Sequence, residues 1–188
     1  RLRSRGLGDV YKRQTSSRFL VFGVKGMLSA AKNVRNAMLF NVLSFMSDKL
    51  LTVGNTVAAL DELYIWLSDN VAVGTTIIEY IRNCLKRVRK KESAMLLASQ
   101  NLEDFDQEHV REMTKPLFSI PPHQFLFNAG SIDKRSYMEM LQLDEAEYNL
   151  IKFPQRGVCL YKCGNERYLL EVHAPSYKEK LFGTAGGR

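Results

Sequence analysis

Short apolar runs alternate with longer stretches of helical period along this chain, and that alternation predicts its architecture. Phe19–Val24 (FLVFGV), bounded by Arg18 and Lys25-Gly26, has the length of a buried strand. From Met27 to Leu50 apolar residues recur at Val34, Ala37, Met38, Leu39, Val42, Leu43, Phe45 and Met46, close to a helical period. Leu51–Leu60 then carries β-branched residues and Gly54 toward a strand that ends on Asp61-Glu62. Strand, crossover helix and strand in this order predict a right-handed βαβ unit.

The pattern repeats downstream. A helical region spans about Leu63 to Lys91, broken near Asn70–Thr76, and its last turns hold Lys86, Arg87, Arg89, Lys90 and Lys91. Cations there suit the helix dipole. Ala94–Ser99 is a third apolar strand, landing on Gln100-Asn101, and Leu102–Thr114 is an acidic helix. Pro116, Pro121 and Pro122 mark a loop around Leu117–Ile120. Gln124–Asn128 is a fourth strand closed by Ala129-Gly130. Asp133–Leu141, with Ser131 and Asp133 as candidate caps, and Asp144–Leu150 are short helices. Gly157–Lys162 and Arg167–Val172 alternate around Cys163-Gly164-Asn165-Glu166, which predicts a hairpin. The fold class expected is therefore α/β, a mostly parallel sheet flanked by helices with a hairpin near the end.

Composition changes this picture little. With 188 residues, 45% hydrophobic and 25% charged, one substantial core is affordable and no apolar run reaches a membrane span. The formal charge of +7 is concentrated at the start, where Arg1, Arg3, Arg5, Lys12 and Arg13 face only Asp9. Residues Arg1–Gln14 lack usable periodicity and resemble translated adapter read-through, so the domain is expected over residues 15–188, with the natural chain beginning further upstream. Three widely placed cysteines argue for a reducing compartment. Cys159 and Cys163 fall on one face of one strand, and without a Cys-x₂-Cys pair they read as ordinary thiols, not zinc ligands.

Chemistry concentrates at the strand ends. In an open α/β sheet, ligands collect at the carboxyl edge, so Asp61, Glu62 and Gln100 are candidates for one phosphate site. A carboxylate pair there can order Mg²⁺ and polarise a water, while the Gln amide can both donate and accept. The same Asp-Glu could instead begin a helix, with Asp61 as cap and Glu62 in its first turn. Gln100 could equally be a solvent-facing turn residue. The spacing from Arg89 to Gln100 is expected to set the helix end and the next strand end along one edge of the domain.

Arg89-Lys90, a short gap, an apolar strand and then Ser99-Gln100 resembles the Arg-Lys…Thr-Gln pattern of the conjugative type IV secretion ATPases, RecA-like motors related to the septal DNA translocases. Asp61-Glu62, Phe125–Gly130 and Gly157–Val172 fall in the order of that family's carboxy-terminal half. Ala98–Phe105, Phe118–Leu143 and Gly157–Arg188 are similar to the homologues on integrative conjugative elements of Gram-positive bacteria, and the likeness runs from about Phe19 to Arg188.

The resemblance implies a P-loop, RecA-like ATPase that binds ATP and Mg²⁺. It implies a hexameric ring of like subunits at the cytoplasmic face of the membrane, working with conjugation-channel components, with DNA an indirect partner. By carry-over, Asp61 would organise Mg²⁺ through water, Glu62 would activate the attacking water and Gln100 would sense the γ-phosphate. Arg89 or Arg87 would act in a neighbouring subunit as an arginine finger. The family's phosphate loop, Gly-x-x-x-x-Gly-Lys-Ser/Thr, is absent: Gly54-Asn55-Thr56 lacks the lysine, and Gly183–Arg188 has neither lysine nor a following helix. The segment by itself is therefore expected to be inactive. Two alternatives stay open: a DNA-translocating or coupling ATPase whose Lys86–Lys91 cluster meets DNA, and a non-catalytic interaction module of the same fold.

Overall fold

A computed structural model describes residues 17–23, 25–66, 71–100, 102–106, 108–128, 130, 132–153 and 155–183. The head Arg1–Gln14, the cap candidate Ser131 and most of the terminal Gly-rich tail lie outside them. The chain divides into two compact units, Arg1–Met46 and Ser47–Arg188.

The first unit holds α1 (Lys25–Leu28) and most of α2 (Lys32–Asp48), on which Leu39, Leu43 and Met46 form the buried stripe that the periodicity predicts. The expected strand at Phe19–Val24 does not form: Phe19–Gly23 has no regular structure, and Val24 lies outside the described residues. A strand needs a neighbour to take its backbone hydrogen bonds, and among the described residues nothing pairs with this one. Phe19 and Val21 are exposed, and Phe22 rests edge-on against Phe45 with ring centroids 5.6 Å apart.

In the second unit, β1 (Val57–Leu60) and β2 (Ala94–Leu97) pair in parallel, Val57 opposite Ala94 and Leu60 opposite Leu97. The crossover between them contains a 3₁₀ turn at Leu63–Trp66 and then α3 (Val71–Arg87). Its buried residues Ile77, Ile78, Ile81 and Cys84 recur at helical spacing, and Val88 in the following 3₁₀ turn Val88–Lys91 extends the stripe. The helix packs on α4 (Glu108–Ser119).

The loop expected around Leu117–Ile120 is helical as far as Ser119, with Pro116 inside α4. The proline removes one backbone donor. The burial of Leu117 and the Ile120 N–H bond to the Pro116 carbonyl, 3.0 Å, carry the last turn past it. Buried Thr114 lies 3.1 Å from the carbonyls of Val110 and Phe105, tying the turn Glu103–Phe105 to the helix.

The remaining residues form a three-stranded antiparallel sheet, β3 (His123–Leu126), β4 (Val158–Cys163) and β5 (Glu166–Glu171), in the order β3-β4-β5. Two helices precede the hairpin. Asp133 caps α5 (Lys134–Leu141) by accepting the Ser136 N–H. Asp144 and Glu147 form a capping box on α6 (Glu145–Ile151), each side chain taking the other's backbone N–H at 2.7 and 2.9 Å. Leu126, Tyr137, Leu141, Ile151 and Leu160 join the helices to the sheet in one core.

Two polar groups enter this core, each with a partner. The Lys162 ammonium donates to the Leu141 carbonyl at 2.6 Å, which satisfies the end of α5, and burial pushes its pKa down. The Tyr137 hydroxyl donates to the Phe127 carbonyl at 2.7 Å, and burial, aided by Tyr148, pushes its pKa up.

Tyr137→Phe is expected to cost about 0.5–1.5 kcal/mol at neutral pH through the lost hydrogen bond. Because the folded pKa lies above the ordinary 10.0, the folded state keeps a proton that the unfolded state releases, so stability falls as pH rises past 10. Lys162 acts oppositely, its buried charge being relieved as pH climbs toward 10.5. The contrast between wild type and Tyr137→Phe therefore isolates the tyrosine: urea midpoints should converge between pH 9 and 11.

Candidate nucleotide site

The site grows out of the parallel ladder. Hydrogen bonding continues beyond the formal strands: the Ala98 N–H donates to the Leu60 carbonyl, and the Leu63 N–H donates to the Ala98 carbonyl, both at 2.9 Å. Between those two bonds the chain turns through Asp61 and Glu62 alone. Glu62 makes the turn in the left-handed region, φ 51°, a conformation that costs a residue with a Cβ roughly 1–2 kcal/mol. The Asp61 carboxylate accepts the Glu62 N–H at 2.9 Å, which helps to fix it.

That turn delivers the Glu62 side chain to the end of β2. Gln100 Nε2 donates to Glu62 Oε1 at 2.6 Å, joining residues 38 positions apart in sequence. The other carboxylate oxygen, Oε2, is shielded from solvent and has no hydrogen-bond partner among the described residues. Asp61 and Gln100 are themselves exposed. Asp61 and Glu62 begin no α-helix: a 3₁₀ turn follows, and Asp61 caps only the next residue. The two acids and the amide thus share one rim, at the carboxyl edge of a parallel pair.

Arg87 and Arg89 do not share it. The expectation that Arg89 flanks the Gln100 edge is corrected by the structure. Both precede β2, whose four residues alone span about 13 Å, so they belong to the amino edge. Both are exposed, separated by buried Val88. Arg87 also places a positive charge near the Cys84 thiol, whose pKa burial raises and whose neighbours Ser47 and Arg87 draw back down.

The amino edge has a clasp that reasoning from sequence missed. The Asn55 N–H donates to the Lys91 carbonyl and the Ala94 N–H to the Thr56 carbonyl, both at 2.9 Å. The Ser93 hydroxyl donates to the Leu50 carbonyl at 2.9 Å and accepts the Thr56 N–H at 3.3 Å. Gly54 sits at φ 79°, where an added Cβ would meet the Lys91 carbonyl oxygen at 2.8 Å. The signal was present in Gly54-Asn55, a pair suited to left-handed backbone, but it points to packing rather than to a phosphate loop.

Among the described residues no group of three His, Cys, Asp or Glu side chains gathers as a metal cluster, and no helix is long and apolar enough to cross a membrane. Cys84, Cys159 and Cys163 are free thiols.

No protein-family model and no curated protein matches the chain. A solved structure does: VirB4 of Thermoanaerobacter pseudethanolicus aligns with a TM-score of 0.74 and 29% identity, over 86% of this chain and 43% of that one. The chain therefore spans less than half the length of the protein it matches. The resemblance to the conjugative type IV secretion ATPases, and the RecA-like α/β fold that it implies, are borne out. The chain resembles part of that VirB4 protein.

Gly54→Ala should lower stability by about 1–3 kcal/mol, because it strains the left-handed backbone and drives a methyl against a backbone carbonyl. Urea unfolding measures this directly. A loss below about 0.5 kcal/mol would show that the clasp gives way without cost.

Proposed function

We propose that this segment supplies the water-activating and sensing half of a nucleotide site in an ATP-hydrolysing type IV secretion motor that powers conjugative DNA transfer. The Glu62–Gln100 contact at the carboxyl edge of paired parallel strands is the single observation that carries this reading.

The donor set fits the cofactor. Mg²⁺ takes hard oxygen ligands and keeps several of its waters, and Asp61 offers an exposed carboxylate beside Glu62. Asp61 would hold Mg²⁺ through the ion's waters, and the ion, when bound, would supply charge neutralisation at the phosphates. Glu62 takes the proton of the attacking water as the new bond from its oxygen to the γ-phosphorus forms and the bond to ADP breaks. Gln100 has a second N–H and its carbonyl oxygen still available, and these meet the γ-phosphate and its water. The lysine-bearing loop that would cradle the phosphates is not in this sequence, so the segment alone should bind ATP weakly and turn over little.

Placement at the amino edge leaves Arg89, with Arg87 second, one route to a nucleotide, across a subunit boundary in a homo-oligomeric ring. An arginine supplied in this way stabilises charge on the transferring phosphoryl group. The ring would stand at the inner face of the cell membrane beside the secretion channel.

A second reading has its own observation. Lys86, Arg87, Arg89, Lys90 and Lys91 are all exposed at one edge, a cluster that could meet DNA directly. Affinity for DNA would then fall steeply with salt, by a slope near the number of phosphates contacted.

In the full-length ATPase that carries this segment, Glu62→Gln should leave ATP binding nearly intact and lower turnover about 10²–10⁴-fold, the range for loss of a general base. Unchanged hydrolysis would remove Glu62 from the role. For the arginine, Arg89→Ala and Glu62→Gln subunits, each inactive alone, should regain activity when mixed, because some interfaces then pair an intact finger with an intact base. Failure to complement, with mixed rings demonstrated by mass, would rule out action in trans.

A further inference from the structure

Gln100 is assigned above to the γ-phosphate, yet its Nε2 is already committed to Glu62 Oε1 at 2.6 Å. That contact has three consequences. It fixes the plane of the carboxylate, because one oxygen is held by a donor from a different strand. It leaves the second oxygen, Oε2, as the group's unspent acceptor, shielded from solvent and without a partner among the described residues. It also closes a ring of restraints around a residue whose backbone is left-handed, together with the Asp61 carboxylate on its N–H and the Leu63–Ala98 bond just beyond.

We infer that Gln100 is a positioning residue for Glu62: its amide holds Oε1 and so sets the plane of the carboxylate that receives the proton of the attacking water. This rests on the assignment of Glu62 as the base, and it adds that Gln100 contributes to turnover through Glu62 rather than through the phosphate alone. The step balances without further reagents. The water gives one proton to the Glu62 carboxylate and its oxygen to the γ-phosphorus, ADP departs with the electrons of the broken bond, and the Gln100 amide keeps both its protons throughout.

Two measurements test this. In the chain itself, the Gln100 side-chain amide resonances should shift clearly on Glu62→Ala, with no nucleotide present; unmoved resonances would show that the bond is not made and would overturn the inference. In the full-length ATPase, single-turnover rates are compared for wild type, Glu62→Gln, Gln100→Leu and the double variant. Gln100→Leu should slow the wild-type enzyme about tenfold or more, and should slow the Glu62→Gln enzyme by a clearly smaller factor, the part that its phosphate contacts contribute. An equal slowing in both backgrounds, or a loss of ATP affinity that accounts for it, would place Gln100 on the phosphate and reject the positioning role. A Glu62→Gln enzyme as fast as wild type would instead reject the assignment of the base, a separate failure.

Discussion

The parallel pairing of β1 with β2 is the constraint on which the site depends. Parallel neighbours cannot be joined by a tight turn; the chain must leave one strand, cross over and return alongside. Here the crossover is α3 and its flanking 3₁₀ turns, and buried Ile77, Ile78 and Ile81 hold it in place. Once the register sets Leu60 opposite Leu97, the residues just beyond each strand must lie side by side. A one-residue slip would turn every side chain of one strand to the other face. It would also separate Glu62 from Gln100. The contact between Glu62 and Gln100 is therefore a consequence of register and is maintained by apolar packing some distance away.

Two strands are a small platform for such precision. Parallel sheets are ordinarily covered on both faces, yet Val57 and Leu96 are 67% and 62% exposed. They share a face, since their registered partners are Ala94 and Ala59. The opposite face, marked by Leu60 at 5% exposure, supplies the packing. The pair is consequently held at its two ends as much as by its middle. At the amino end Ser93 bridges Leu50 and Thr56, and Asn55 bonds Lys91. At the carboxyl end Leu63 bonds Ala98. The two ends do different work: one anchors, and the other presents side chains.

This division explains what was legible in the sequence. Apolar runs ending in polar pairs gave β1, β2 and their shared edge, because a strand end is a local pattern. Asp133 was readable as a cap for the same reason, whereas Asp144, read as the first residue of its helix, proved to be that helix's cap. The hairpin of β4 and β5 followed from alternation around Gly164-Asn165. Three features depended on partners that a local pattern does not encode. Phe19–Val24 has strand composition, but among the described residues no ladder neighbour pairs with it. Pro116 looks like a terminator until the burial of Leu117 and Thr114 carries the helix through it. Arg89 is eleven residues from Gln100, which suggests nearness, but β2 lies between them and converts sequence proximity into opposite edges.

The left-handed Glu62 is the feature hardest to explain by stability alone. Glycine or asparagine would take φ 51° at lower cost, and the turn between Leu60 and Leu63 asks only for backbone, since its bonds to Ala98 use the main chain. A carboxylate adds strain and a shielded oxygen without a partner. Such a residue persists when its surroundings over-determine it, and here three do: the register-fixed bond of Leu63, the Asp61 carboxylate and the Gln100 amide. None of the three would be needed to hold a glycine. The arrangement makes sense as a way to hold one carboxylate in a fixed orientation at the edge where a parallel sheet receives phosphates.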